Sequence, residues 1–245
     1  MIEVNHLSKR FESIMAVDDI SFAAGKGEIL GFLGPNGAGK STTMKMITGF
    51  ILPSDGEALV CGKKVQEVPT VTKGLIGYMS ENAPLYDDMY VEDFLRYAGE
   101  LRQMAADKIE AGVNRVIDLC ALTSVRYQKI ETLSKGFRRR VSMAQALIHD
   151  PEVLILDEPT DGLDPNQKHE VRTLIRQLSG NKCIVLSTHI LEEVEEVCTR
   201  AIIIAKGKLL YDGTPADLKS KSKQHKLDDV FRAITTGESV QGVNL

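Results

Sequence analysis

No stretch of this chain stays apolar for long. The strongest run, Ala201-Ile202-Ile203-Ile204-Ala205, is strand-sized, well short of the roughly 18 residues that cross a bilayer. Any role at a membrane therefore has to come through a partner. Positive charge is not in excess either: 30 Lys and Arg stand against 34 Asp and Glu, a net charge of −4. With no basic stripe, the chain lacks the electrostatic footprint of a nucleic-acid binder. The cysteines Cys61, Cys120, Cys183 and Cys198 form no C-x-x-C pair, and read as reduced, packed thiols of a cytosolic protein rather than a metal site or disulfide framework. Met1 to Phe11 has no apolar centre of the signal-peptide kind. Internal repeats and heptad runs are missing as well. The remaining composition, 43% hydrophobic and 26% charged over 245 residues, is ordinary for a globular protein. It has room for one large α/β domain, or for a core plus a small insertion.

Against this background one segment carries most of the information: Gly34-Pro35-Asn36-Gly37-Ala38-Gly39-Lys40-Ser41-Thr42. Gly34, Gly39, Lys40 and Ser41 satisfy G-x-x-x-x-G-K-S/T, the Walker A phosphate loop. The apolar run Ile29 to Leu33 before it predicts a buried strand, and Thr42 to Ile47 after it predicts a helix. That order is what the chemistry requires. Glycines let the backbone curl so that its N–H groups face phosphate oxygens, and the helix N-terminus adds partial positive charge. Lys40 is then the side chain that reaches the β- and γ-phosphates, and the Ser41 hydroxyl ligates Mg²⁺.

The rest of the chain reads around that loop. Alternation in Ile2-Glu3-Val4 and Ile20-Ser21-Phe22 predicts short, half-buried antiparallel strands. Phe11 falls in the loop between them, where it either stacks on a base or packs. Strands are expected near Ala58–Cys61 and Leu75–Met79, followed by a helical insertion between Asn82 and Glu131 whose apolar residues recur at helical spacing. Leu133-Ser134-Lys135-Gly136-Phe137 opens a further helix, and by itself this stretch is no more than an N-cap. Val153-Leu154-Ile155-Leu156-Asp157-Glu158 predicts a central parallel strand ending in two carboxylates. After a phosphate loop, the Asp of such a pair assists Mg²⁺ and the Glu takes a proton from an attacking water; the bland alternative is a helix-capping pair. Cys183 to Ser187 predicts another buried strand, ending at Thr188-His189, so His189 sits where α/β folds place ligand contacts. Glu192, Glu193, Glu195 and Glu196 form the expected solvated face of the helix that follows. Two strands around Gly207, a small helix after Pro215 and a helix over Lys226–Ile234 close the chain, with Gly237 to Leu245 loose.

Taken together, GPNGAGKST, LSKGF, VLILDEP, DGLDP and STH, in this order, resemble the ATPase subunit of ATP-binding cassette (ABC) transporters over residues 1–220. The resemblance implies an α/β fold: a P-loop NTPase core with a small antiparallel β subdomain and an inserted α-helical subdomain at about 82–150. Residues 221–245 would be a C-terminal helix and tail. It also implies a head-to-tail dimer of cassettes, identical or not, with two ATP molecules at the interface. Ser134 and Gly136 of one chain would close on Gly34–Thr42 of the other, and Asp164 would lie in the loop crossing between subunits. His189 would hydrogen-bond the γ-phosphate, Glu158 would polarise the water and Phe11 would stack on adenine.

The chain departs from the family pattern at two places. Glu81 stands where the usual residue is Gln; a carboxylate still ligates Mg²⁺ and adds negative charge near the γ-phosphate. LSKGF stands for the usual LSGGQ, keeping Ser134 and Gly136 while Lys135 favours an anion. Together with the KLDDVF tail, these features resemble the exporter-type branch that includes gliding-motility-associated and multidrug export ATPases. The expected function is ATP hydrolysis that powers export through a separate membrane permease, the chain being cytoplasmic and held on the inner face of the membrane by that permease. The alternatives are an ATP-gated scaffold and a non-transport ABC ATPase.

Overall fold

The computed structural model describes residues 1–222, 224, 226–238 and 243. Strands β1 (Ile2–Phe11) and β2 (Ile14–Ala24) form a long hairpin, and the fully buried β3 (Ile29–Leu33) leads into helix α1 (Lys40–Ile47). The chain returns through β4 (Asp55–Val60) and the two-residue β5 (Lys63–Lys64), completing an antiparallel sheet in the order β2-β1-β4-β5. Next come α2 (Pro69–Leu75), β6 (Ile76–Met79), and three helices, α3 (Val91–Leu101), α4 (Ala106–Leu119) and α5 (Lys135–Leu147). The last third alternates β7 (Val153–Asp157), α6 (Pro165–Ser179), β8 (Cys183–Thr188), α7 (Leu191–Val197) and β9 (Arg200–Ala205). It ends with β10 (Lys208–Gly213), α8 (Pro215–Ser220) and α9 (Leu227–Thr236).

The second sheet runs β10-β9-β3-β8-β7-β6, parallel except for the antiparallel edge strand β10. Every residue of β3, β7 and β8 is buried, which is why these strands are aliphatic runs rather than alternations. Their side chains divide between two apolar layers. Leu33, Leu154, Leu156 and Leu186 pack with Phe94, Leu95, Val113, Ile117 and Val141 of the helical lobe. Leu30, Phe32, Ile155 and Val185 face Ile2, Val4, Ile20 and Met44 of the antiparallel sheet and α1. Each such side chain, fully buried, contributes roughly 1.5–3 kcal/mol, so the parallel sheet is held rigidly from both faces.

Four details correct the sequence reading. The hairpin is much longer than the two tripeptides, because register shifts between Val4 and Arg10 break the alternation that would have announced it. Phe11 is accordingly the last residue of β1, paired with Ile14, and not part of a loop. Helix α2 has no apolar stripe; Thr72 is its one buried residue, so periodicity gave no sign of it. Glu193 belongs to the buried face of α7, at 2% exposure, where its Oε2 accepts from the Thr188 hydroxyl at 2.6 Å. The expected thiols are all free: Cys120, Cys183 and Cys198 are buried and Cys61 is half-buried. Burial pushes the Cys120 and Cys183 thiols up to about 12. The loose tail expected over 237–245 falls largely outside the described residues. Among the described residues, no helix is long and apolar enough to cross a membrane.

Candidate active site

The carboxyl ends of β3, β8 and β7 lie side by side, so three loops converge at one edge of the sheet. The first is the phosphate loop. Gly39, the N-cap of α1, takes φ 108°, and a Cβ there would come within 2.5 Å of the Ala16 carbonyl of the hairpin. Only glycine lets the loop turn into the helix at this point. The N–H groups of Lys40, Ser41 and Thr42 then form the first turn of α1, where helix geometry supplies no acceptor. Lys40 is buried, at 6% exposure. Its Nζ donates to the carbonyls of Gly34 at 2.7 Å and Pro35 at 3.2 Å, and lies 3.7 Å from Glu158 Oε1.

At the second loop, Asp157 ends β7 and Glu158 follows it, both almost sealed from solvent, at 2% and 8% exposure. Buried carboxylates are costly unless compensated, and both are. Asp157 Oδ1 accepts from the Ser41 hydroxyl at 3.2 Å and from the Ser187 hydroxyl of β8. Glu158 sits at φ 50°, a left-handed conformation that its surroundings hold in place: its N–H donates to the Ser187 carbonyl at 3.1 Å and its own carbonyl accepts from Asp161 N–H at 3.2 Å. The third loop brings His189, whose Nδ1 lies 2.9 Å from Glu158 Oε2. A carboxylate only accepts, so this ring nitrogen carries the proton.

These groups bound a cleft of about 480 Å³ lined by Asn36, Gly37, Ala38, Gly39, Lys40, Ser41 and Thr42, with Ala16, Glu81, Glu158, Asp161 and His189 completing the wall. The donor set fits a nucleoside triphosphate: N–H groups and one ammonium for phosphate oxygens. It also fits Mg²⁺. Among the described residues no cluster of three or more His, Cys, Asp or Glu forms a self-sufficient metal cage. Mg²⁺ characteristically takes one or two protein oxygens and draws the rest from phosphates and water; Ser41 and Asp157 stand together to provide them.

Other expected site residues lie apart from this cleft. Phe11 is 45% exposed on the hairpin, with Lys9 Nζ 5.2 Å from its ring centroid, and lines no part of it. Ser134 caps α5, its Oγ accepting from Phe137 N–H at 3.4 Å. Gly136 packs so closely on α6 that a Cβ would lie 2.6 Å from the Gln167 carboxamide. Asp164 caps α6 through Gln167 N–H at 3.0 Å. The link from this group back to the cleft is Lys135, whose Nζ lies 3.7 Å from Asp161 Oδ2. Ser187 and Asp161 were not singled out from sequence; the one available sign was the pair of hydroxyls, Ser187 and Thr188, that ends the aliphatic run of β8.

Comparison with known proteins agrees with this geometry. A family model described as ABC transporter matches residues 17–161. The ABC transporter ATP-binding protein NatA of Bacillus subtilis is 35% identical over 237 residues, covering 94% of this chain and 96% of its own. The chain belongs to the ABC transporter family. A solved structure described as the ATP binding subunit of an ABC transporter superposes with TM-score 0.84 at 28% identity, covering 96% of this chain and 99% of the other. The probable multidrug ABC transporter ATP-binding protein YbhF of Escherichia coli is 36% identical over 230 residues, which are 94% of this chain and 40% of that relative. The chain thus spans well under half the length of that ABC relative, and nearly the whole of NatA.

Proposed function

We infer that this chain is the ATP-hydrolysing subunit of an ABC export system and works with a separate membrane permease. One observation carries the reading: Glu158 is held between Lys40 and His189, directly beside the Ser41–Asp157 pair, at the mouth of a phosphate loop. The N–H groups of residues 36–42 and Lys40 bind the triphosphate. Ser41 and Asp157 would hold Mg²⁺, with Glu81 lining the same space; the ion would supply charge neutralisation at the phosphate oxygens. Glu158, which lines the cleft beside the phosphate loop, accepts the proton of the attacking water. His189, whose Nδ1 meets Glu158 at the wall of the cleft, hydrogen-bonds the γ-phosphate; moving to the phosphate releases Glu158 for the water.

Ser134, Gly136 and Asp164 act across a head-to-tail pair of cassettes, identical or not. Their separation from the cleft of their own chain supports this. Phe11, beside the turn of the hairpin, stacks on the adenine. Residues 1–220 form the cassette, with 82–150 as a lobe that turns against the sheets and 221–245 as an appended helix and tail. An aromatic groove of about 440 Å³, lined by Phe50, Tyr86, Phe94, Tyr97 and Leu101, is where the lobe meets the permease. In this reading the permease holds the chain on the cytoplasmic face of the membrane, and nucleic acid has no role. Purified protein is expected to release phosphate from Mg·ATP, and Glu158→Gln to become an ATP-stabilised dimer. A wild-type chain that dimerises on ATP without turnover would replace the ATPase by an ATP-gated scaffold.

A further inference from the structure

Helix α7, just past the carboxyl end of β8, carries a carboxylate with no part in the chemistry above. Glu193 is 2% exposed, and burial raises its pKa above the ordinary carboxylate value. Its Oε2 accepts from the Thr188 hydroxyl at 2.6 Å, while Oε1 has no hydrogen-bond partner among the described residues. Burying a carboxylate on so few bonds is costly. What that cost sustains is the bond to Thr188.

Thr188 is the last residue of β8 and is fully buried. Its hydroxyl gives its one proton to Glu193 and accepts the Ile190 N–H at 3.0 Å. A hydroxyl that bonds two residues onward fixes the backbone between. Glu193 closes the figure through its own N–H, which donates to the Ile190 carbonyl at 3.2 Å. Three hydrogen bonds thus join Thr188, Ile190 and Glu193, and the residue they enclose is His189. The His189 side chain is 44% exposed, so packing does little to hold its ring. Its Nδ1 nevertheless stands 2.9 Å from Glu158 Oε2.

We propose that Glu193 is a positioning residue for His189: through the Thr188 hydroxyl it fixes the turn from which the imidazole reaches Glu158. The use of this brace in turnover rests on the ATPase reading above; the brace itself does not. If the same bonds serve only to start α7, the His189 ring is indifferent to them.

Glu193→Met removes the acceptor and keeps the bulk, whereas Glu193→Gln keeps an acceptor oxygen. In protein carrying isotope-labelled histidine, without nucleotide, the His189 ring signal is identified among five histidines by its loss in His189→Gln. It is expected to shift and broaden in Glu193→Met, and to stay near the wild-type position in Glu193→Gln. In Mg·ATP turnover, kcat of Glu193→Met is expected to fall about tenfold, the scale of misplacing a reacting group. KM is expected to change less than about twofold, and Glu193→Gln to recover most of the rate. Should Glu193→Met melt early, the double variant Thr188→Val with Glu193→Met replaces both partners by apolar groups, a change near neutral for stability. It is expected to show the same loss of kcat. A His189 signal unmoved in Glu193→Met, or a kcat equal to that of wild type in the double variant, overturns the proposal and leaves Glu193 a helix-start group. A wild-type chain whose His189 signal depends on Glu193 but which releases no phosphate keeps the brace and overturns the ATPase reading.

Discussion

Glu158 and His189 follow different strands, β7 and β8, yet Glu158 Oε2 lies 2.9 Å from His189 Nδ1 while its other oxygen lies 3.7 Å from Lys40 Nζ. The carboxylate is therefore gripped at both oxygens in a pocket where it is 8% exposed. Replacing it by Gln keeps the shape and removes the basic oxygen. Glu158→Gln is expected to lower phosphate release by at least about 100-fold, the usual worth of a general base. ATP affinity is expected to remain, and the ATP-bound dimer to persist on a sizing column.

The turn at Gly39 is the next place where a single atom decides. Gly39→Ala combines φ 108° with a Cβ 2.5 Å from the Ala16 carbonyl. Strain at such a position costs about 1–3 kcal/mol, and the hairpin has to move away from the loop. The expected result is lower stability in urea and nucleotide affinity at least tenfold weaker, measured by isothermal titration.

Lys135 and Asp161 provide a test of communication within one chain. Their pair is half exposed, at 60% and 46%, so its removal is expected to change stability by less than about 1 kcal/mol. It nevertheless joins the cap of α5 to the loop after Glu158. Lys135→Glu is expected to slow ATP turnover severalfold. The swap Lys135→Glu with Asp161→Lys is expected to recover part of the rate, which a purely local effect of either residue would not give.

His149 sets an acid limit on the fold. Burial, helped by the neighbouring Arg102, lowers its pKa from 6.5 to about 4, and its Nε2 lies 3.0 Å from Arg102 Nη1 and 3.1 Å from the Ile76 carbonyl. The unfolded chain binds the proton first, so stability is full above about pH 6.5 and falls as pH drops toward 4. The loss expected from this residue is on the order of 2–3 kcal/mol. Urea midpoints for wild type and His149→Gln at pH 7 and pH 4.5 should differ in slope, the variant being less pH-sensitive.

Much of this protein was legible in order along the chain. The phosphate loop, the aliphatic strands and the amphipathic helices are local signals: glycine spacing, period and run length depend on neighbours a few residues away. Thus Gly34–Thr42, Asp157, Glu158 and His189 are singled out by motif and position, and the structure brings the loop and these three together at one sheet edge. The hairpin was harder to read because its register shifts erase the period-2 pattern.

By itself, the sequence determined the fold class and the chemical inventory, since hydropathy pattern and motif spacing are properties of the linear chain. Tertiary structure decided which groups meet. Strand order put Ser187 against Asp157 and sealed Glu158 between Lys40 and His189. It left Ser134 and Gly136 outside the cleft of their own chain, at the start of α5. It also buried the Tyr78 hydroxyl and the Glu193 carboxylate, whose surroundings come from segments distant in the chain. Such pairings depend on how the layers pack, and no local periodicity records them.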